Sequence, residues 1–236
     1  MLVHVAFTPD ESAAAPVGIV IDVIRATSTI CQALASGYER VFCAAEVEEA
    51  RGLREQLDGA VTLGGERFGV RIDGFDLGNS PAEYLEPRSP VIAMSTTNGT
   101  RAIVTAAERC EHVVIASLLN LAAVAEAARA SGQDVAIFCA GVKGAFALDD
   151  AYVAGRVTRL LDGERTDAAE AAVRLAGSYP SAEAAFRQSR SGRNLIDHGP
   201  ELEADIAYCA RESVLGVVPQ LLGMRGAAAE IGALAS

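Results

Sequence analysis

Apolar positions run along this chain in two alternating rhythms. Short runs rich in Val and Ile are separated by stretches where Ala, Leu and Val recur at helical spacing. Residues 2–7 alternate and stop at Thr8-Pro9-Asp10, which predicts a first strand. Residues 19–24 form an apolar run of the kind found in buried parallel strands, broken by the single acid Asp22. Helical spacing resumes at Ile30, Ala33 and Leu34, predicting a helix over about residues 29–36 that Gly37 closes. Residues 40–44 read as a short strand, 46–57 as an amphipathic helix with its acids early, and 61–63 as another strand.

Residues 64–81 break the rhythm. They hold five glycines and no regular period, with Phe68, Ile72, Phe75 and Leu77 as apolar anchors, which predicts a long ordered loop. Alternation then returns, with a strand from Val91, a helix over 102–108, a strand over 112–116 and a helix over 120–130 ended by Gly132. A central strand over 134–140 leads to a helix over about 149–161. From Thr166 the pattern is helical, over 167–176, 181–190 and 201–212, with Ser191-Gly192-Arg193-Asn194 as a polar turn. Alternation over residues 1–161 argues for parallel α/β layering, with a helical C-terminal part covering the sheet. Residues 1–236 read as one unit, without repeats.

Acidic residues outnumber basic ones by 31 to 20, a formal charge of −11. That balance argues against nucleic acid or an anionic membrane as partner. A local basic cluster can still receive a small anion, and carboxylates are left over for a divalent cation. No run approaches the roughly 20 apolar residues of a membrane span. The N-terminus lacks the basic start and cleavage site of a signal peptide. Five cysteines without a Cys-x-x-Cys pair sit in apolar or helical contexts, expected as buried thiols in a reducing cytoplasm.

Candidate chemistry collects where strands feed helices, the usual place for ligands in open α/β sheets. The first junction offers Asp22, Arg25 and the hydroxyls of Thr27, Ser28 and Thr29. Hydroxyls and free N–H groups at a helix start suit an anion, and Arg25 can fork two hydrogen bonds to a phosphate or sulfonate. The same residues would equally serve as a helix cap and a structural ion pair. The second junction, Thr96-Thr97-Asn98-Gly99-Thr100-Arg101, repeats this logic, and its Asn-Gly turn can form an anion-binding nest. The third, Gly141-Val142-Lys143-Gly144, adds a lysine before Asp149 and Asp150, two acids that also suit a helix start.

Several chemistries are excluded by their missing motifs. There is no P-loop, no Gly-x-Gly-x-x-Gly after a strand and no Gly-x-Ser-x-Gly elbow. No cysteine has an arginine six positions on, and Asp22-Val23-Ile24 lacks the second acid of an Asp-x-Asp phosphatase. The histidines, His4, His112 and His198, lie far apart, against zinc. Hard oxygen donors without thiolate or imidazole select Mg²⁺. Arg and Lys on the same rim select an anionic substrate, and Mg²⁺-assisted hydrolysis of a phosphate ester uses both.

The runs Asp22-Val23-Ile24-Arg25-Ala26-Thr27, Gly65-Glu66, Gly74-Phe75-Asp76-Leu77-Gly78-Asn79-Ser80-Pro81, Thr96-Thr97-Asn98-Gly99-Thr100 and Ala140-Gly141 closely resemble the 2-phosphosulfolactate phosphatase family. The similarity continues through Leu148-Asp149-Asp150, Ala154-Gly155 and Val218-Pro219, nearly the whole chain. Asp149 departs from the Glu usual in that pattern. The resemblance implies a three-layer α/β/α fold with a mostly parallel sheet in two subdomains. It also implies Mg²⁺-dependent removal of phosphate from 2-phospho-3-sulfolactate, giving 3-sulfolactate on the way to coenzyme M.

On this reading Asp22, Glu66 and Asp76 hold Mg²⁺, joined through water by Asp149 or Asp150. Arg25, Arg101 and Lys143 stabilise the transferring phosphoryl group. Thr27, Ser28, Thr29, Asn79, Thr96, Thr97, Asn98, Gly99 and Thr100 bind its oxygens, and Arg67 and Arg193 take the other acidic groups. A phosphatase of another small phospho-acid and a non-catalytic anion-binding sensor are the alternatives, and homo-oligomerisation is left open.

Overall fold

The computed structural model describes residues 1–57 and 61–234. Strand β1 (Leu2–Ala6) leads to β2 (Val17–Ile21), α1 (Ala26–Ala35), β3 (Arg40–Ala44), α2 (Val47–Gln56), β4 (Val61–Arg67) and the short β5 (Val70–Arg71). A turn of 3-10 helix, Pro81–Tyr84, precedes β6 (Val91–Ser95), α3 (Gly99–Ala107), β7 (His112–Ala116), α4 (Leu121–Ser131), β8 (Val135–Cys139) and α5 (Leu148–Leu160). The remainder holds β9 (Glu164–Arg165), α6 (Asp167–Gly177), α7 (Ala182–Gln188), α8 (Arg190–Asp197), α9 (Pro200–Cys209), β10 (Pro219–Arg225) and β11 (Ala228–Ala233).

The strands form one mostly parallel sheet in the order β5-β4-β6-β3-β11-β10-β7-β2-β8-β1-β9. Two parallel blocks, β4-β6-β3 and β7-β2-β8-β1-β9, are joined through the antiparallel β10–β11 hairpin. Side chains alternate strictly between the faces. In β8, Ala136 and Phe138 join a core shared with Ile30 of α1 and Ile103 of α3, while Val135 and Ile137 join the core under α4 to α9. In β3 and β6, Val41, Ile92 and Met94 face that shared core, and Phe42 and Ala93 face α2. Helices thus cover both faces, and the architecture is the three-layer α/β/α arrangement expected. Among the described residues no helix is long and apolar enough to cross a membrane.

Three differences from the sequence pattern bear on the site. First, β2 ends at Ile21, so Asp22 stands at its carboxyl end and α1 starts at Ala26, ahead of the expected helix. Second, residues 64–67 of the expected loop continue β4, Gly64 and Gly65 beside β6 and Glu66 and Arg67 paired with β5. Gly65 has φ +138°, and a Cβ on it would stand 2.0 Å from the Ser95 carbonyl oxygen, so only glycine lets the strands close here. Glycines carry no hydropathy, which is why the strand is silent in the pattern. Third, the polar turn at 191–194 lies inside α8, and the C-terminal segment is not purely helical. Its hairpin enters mid-sheet, pairing Ile231 with Val41 and Gln220 with Val114.

Candidate active site

The parallel strands point their carboxyl ends at one cleft of about 360 Å³. The turn after β2 brings Asp22 and Arg25, the end of β4 brings Glu66, and the turn after β6 brings Thr96, Thr97 and Asn98. Asn79 and the β8–α5 loop, with Lys143, complete that side. Helix α8 closes the other with Arg190, Ser191, Arg193 and Asn194. Although β2 and β6 lie far apart in the sheet order, their junctions meet: a Cβ on Gly99 would stand 3.0 Å from Asp22 Oδ2 and 2.8 Å from Ala26 Cβ.

Glu66 is the organiser of one wall. Its Oε1 accepts from the Thr97 N–H at 2.9 Å and the Thr97 hydroxyl at 2.8 Å, and its Oε2 accepts from the Gly69 N–H at 2.7 Å. Asp22 is buried, and burial with the nearby charges of Glu66 and Asp149 pushes its carboxyl up to about 7. Burial likewise lifts Asp149 to about 6, against the hydroxyls of Ser191 and Ser189, which pull it back down. Asp149 Oδ1 is buried without a hydrogen-bond partner, and so is Asn79 Oδ1 at the cleft. Asp150 is raised well above the carboxylate range by burial, then by Asp149 and Asp22. Both of its oxygens are occupied, by the N–H groups of Val23 (2.9 Å) and Gly141 (3.0 Å).

The cationic residues fall into two groups. Lys143, the only lysine of the chain, reaches the cleft with its ammonium 5.7 Å from the ring centroid of Phe68. Its backbone N–H donates to Asn98 Oδ1 at 3.0 Å, tying the second and third junctions together. Arg190 and Arg193 project from α8, and neither makes an ion pair among the described residues. Arg25 also lines the cleft, but it is committed elsewhere: Nη1 donates to Asp205 at 2.8 Å and Nη2 to the Gly69 carbonyl at 2.6 Å.

Other expected residues stand outside the cleft. Asp76 is taken up by Arg54 and by the Leu63 N–H at 2.8 Å. Arg101 pairs with Asp10 at the surface, and Arg67 donates to the carbonyls of Glu66 and Ala45 and to the Ser95 hydroxyl. The hydroxyl triplet neither lines the cleft nor caps α1, whose N-cap is Arg25. Thr27 Oγ1 accepts from the Asp22 N–H, Ser28 donates to the Val23 carbonyl, and Thr29 donates to the Asn79 carbonyl. These bonds shape the turn that presents Asp22. Thr100 similarly donates to the Ala44 carbonyl at 3.3 Å.

The pattern passed over Arg190, Ser191 and Asn194, because residues 191–194 read as a turn. The usable signal was Ser189 ahead of an Arg190-x-x-Arg193 pair, an N-cap followed by two arginines three apart on one helix face.

Among the described residues, no three acidic, His or Cys groups converge into a complete metal cage. The donor set suits Mg²⁺ nonetheless. That ion is usually held by one or two carboxylates while water and substrate phosphate fill its other positions. Asp22, with the unpartnered Oδ1 of Asp149 behind it, has that chemistry.

Buried carboxylates facing a cationic rim, at the carboxyl ends of parallel strands, define an α/β protein with a strongly charged cleft at its strand ends. Sequence comparison makes the class specific. The family model described as 2-phosphosulpholactate phosphatase matches residues 4–223. A probable 2-phosphosulfolactate phosphatase of Thermus thermophilus is 39% identical over 236 aligned residues, covering 97% of this chain and 98% of that one. Proteins of the same description from Carboxydothermus hydrogenoformans and Symbiobacterium thermophilum are 36% and 40% identical, covering 93% and 89% of this chain and 93% of each relative. The chain belongs to the 2-phosphosulfolactate phosphatase family.

Proposed function

We propose that this protein is a phosphoric monoester hydrolase that converts 2-phospho-3-sulfolactate and water into 3-sulfolactate and inorganic phosphate, with Mg²⁺ as its cofactor. The observation that carries this reading is the cleft itself, where the Asp22 carboxylate faces Lys143, Arg190 and Arg193. Asp22 and Asp149 would hold the ion, with Glu66 close by. Mg²⁺ would supply charge neutralisation on the phosphate oxygens.

The chain's own groups divide the substrate between them. Phosphoryl oxygens lie against the Lys143 ammonium and the side-chain amide of Asn98, whose Oδ1 is already held by the Lys143 N–H. Fixed donors of this kind stabilise charge without reorganising as it develops. Water adds to phosphorus, the phosphorus–ester oxygen bond breaks, and the departing alkoxide ends as the 2-hydroxyl group. The sulfonate is a permanent monoanion with weakly basic oxygens, a better match for guanidinium forks than for a hard cation. Arg190 and Arg193, free of carboxylate partners, suit it and the carboxylate beside it.

Phosphate release from a panel of small phospho-acids, with Mg²⁺ and with EDTA, tests the reading. The expected result is Mg²⁺-dependent release, fastest from 2-phospho-3-sulfolactate. Preference for an unsulfonated phospho-acid would reassign the substrate. Absence of release from every member would leave an anion-binding protein.

A further inference from the structure

Helix α9 lies outside the cleft lining, yet it carries an acid with no place in the reading above. Asp205 is 2% exposed, and both of its oxygens are used. Oδ2 accepts from Arg25 Nη1 at 2.8 Å, and Oδ1 accepts from the Ser80 hydroxyl at 2.6 Å. Arg25, 4% exposed, then reaches the Gly69 carbonyl with Nη2 at 2.6 Å. The N–H of that same Gly69 donates to Glu66 Oε2, and Glu66 Oε1 holds Thr97. One unbroken line of hydrogen bonds therefore runs from α9 through the β2–α1 turn and the β4–β5 hairpin to the β6–α3 turn.

We propose that Asp205 is a positioning residue, which acts through Arg25 to clamp the β4–β5 hairpin as a wall of the cleft and so orients Glu66. The inference rests on the phosphatase reading only for its kinetic arm. A buried guanidinium needs a counter-charge. Without Asp205, Arg25 keeps the Gly69 carbonyl as its remaining partner and loses its paired carboxylate, while Asp22, whose ionised form it already favours, lies within its field. Asp205 thus keeps Arg25 off the cleft's central acid and on the Gly69 carbonyl. Gly69, held at both its N–H and its C=O, is the point where a loosened clamp would first be felt.

The test combines amide exchange with kinetics. In Asp205→Asn, the Gly69 amide should exchange at least about tenfold faster while amides of β8 keep their protection. With 2-phospho-3-sulfolactate, kcat should fall about 100-fold and KM should change less than about threefold, as displaced rather than deleted groups would give. Ser80→Ala, which leaves the ion pair intact, should stay within about threefold of wild type. The double variant Asp205→Asn/Arg25→Met should be no slower than Arg25→Met alone. If Asp205→Asn does not fold, Arg25→Met/Asp205→Leu removes both charges together. That variant should fold and show the same loss of kcat and the same Gly69 exchange. The proposal is overturned by a folded variant with wild-type kcat and unchanged Gly69 exchange, or by kinetic losses that multiply in the double variant. A wild-type protein inactive on the substrate defeats the functional reading instead, and Gly69 exchange still decides the role of Asp205.

Discussion

Asp22→Asn should make the metal-free protein more stable and the enzyme inactive. Asn keeps the size of the side chain and can still accept the Ala26 N–H, but it carries no charge. In the wild type, burial and the charges of Glu66 and Asp149 raise the Asp22 carboxyl from 3.8 to about 7. A rise of that size corresponds to about 4 kcal/mol. Between these values the folded protein holds a proton that the unfolded chain has lost, so the contribution of Asp22 to stability declines as pH rises through that window. Above pH 7 the full cost is present, and below pH 4 it is gone. The variant pays none of it. Its advantage should therefore grow from under about 1 kcal/mol at pH 4 to about 4 kcal/mol at pH 8.5. Urea unfolding in EDTA at a series of pH values measures the gap. Phosphate release at saturating Mg²⁺ should fall by orders of magnitude in the same variant, because a hard cation needs the charge. A variant less stable than wild type at pH 8.5, or a gap that does not change with pH, would refute the electrostatic reasoning. Near-normal turnover would refute the role of Asp22.

Further outcomes follow from the same geometry. Arg190→Gln and Arg193→Gln should each lower kcat/KM for 2-phospho-3-sulfolactate about 10- to 100-fold, and lower it less for 2-phospholactate, which keeps the carboxylate but lacks the sulfonate. Equal losses on both substrates would place the arginines at the groups the two share, the carboxylate or the phosphate, and not at the sulfonate. Arg101→Ala should leave kcat, KM and the unfolding midpoint unchanged, since its exposed pairing with Asp10 is remote from the cleft. Gly99→Ala should cut kcat sharply while the protein stays folded, because the new methyl group meets Asp22 Oδ2 at 3.0 Å and Ala26 Cβ at 2.8 Å. Iodoacetamide at pH 7.5 should leave activity intact, since burial pushes the thiols of Cys31, Cys43 and Cys209 up to about 12. Mass mapping should find the label on half-buried Cys110, and inactivation blocked by substrate would contradict this.

The sequence by itself determined the elements whose signal is local. Alternating apolar runs and helical spacing marked most of the parallel strands and their crossover helices, and strand ends marked Asp22, Thr97, Asn98 and Lys143, which line one cleft. Glu66 was marked only through the family resemblance, and the strand carrying it was not marked at all, because the glycines before it are placed by contacts with Ser95 and Tyr84 rather than by hydropathy. Only the tertiary structure decided which side chains face the cleft. Thr27, Ser28 and Thr29 turn inward because backbone groups of Asp22, Val23 and Asn79 claim their hydroxyls. Asp76, Arg67 and Arg101 are drawn away by Arg54, the Ala45 carbonyl and Asp10. Arg25 finds its counter-charge 180 residues away, and the C-terminal hairpin reaches the middle of the sheet by pairing with β3 and β7. Charge and hydrogen-bonding capacity belong to a residue, but the partner that satisfies them is chosen by the fold. A motif therefore names the chemistry a position can perform, and long-range pairing decides whether that position performs it.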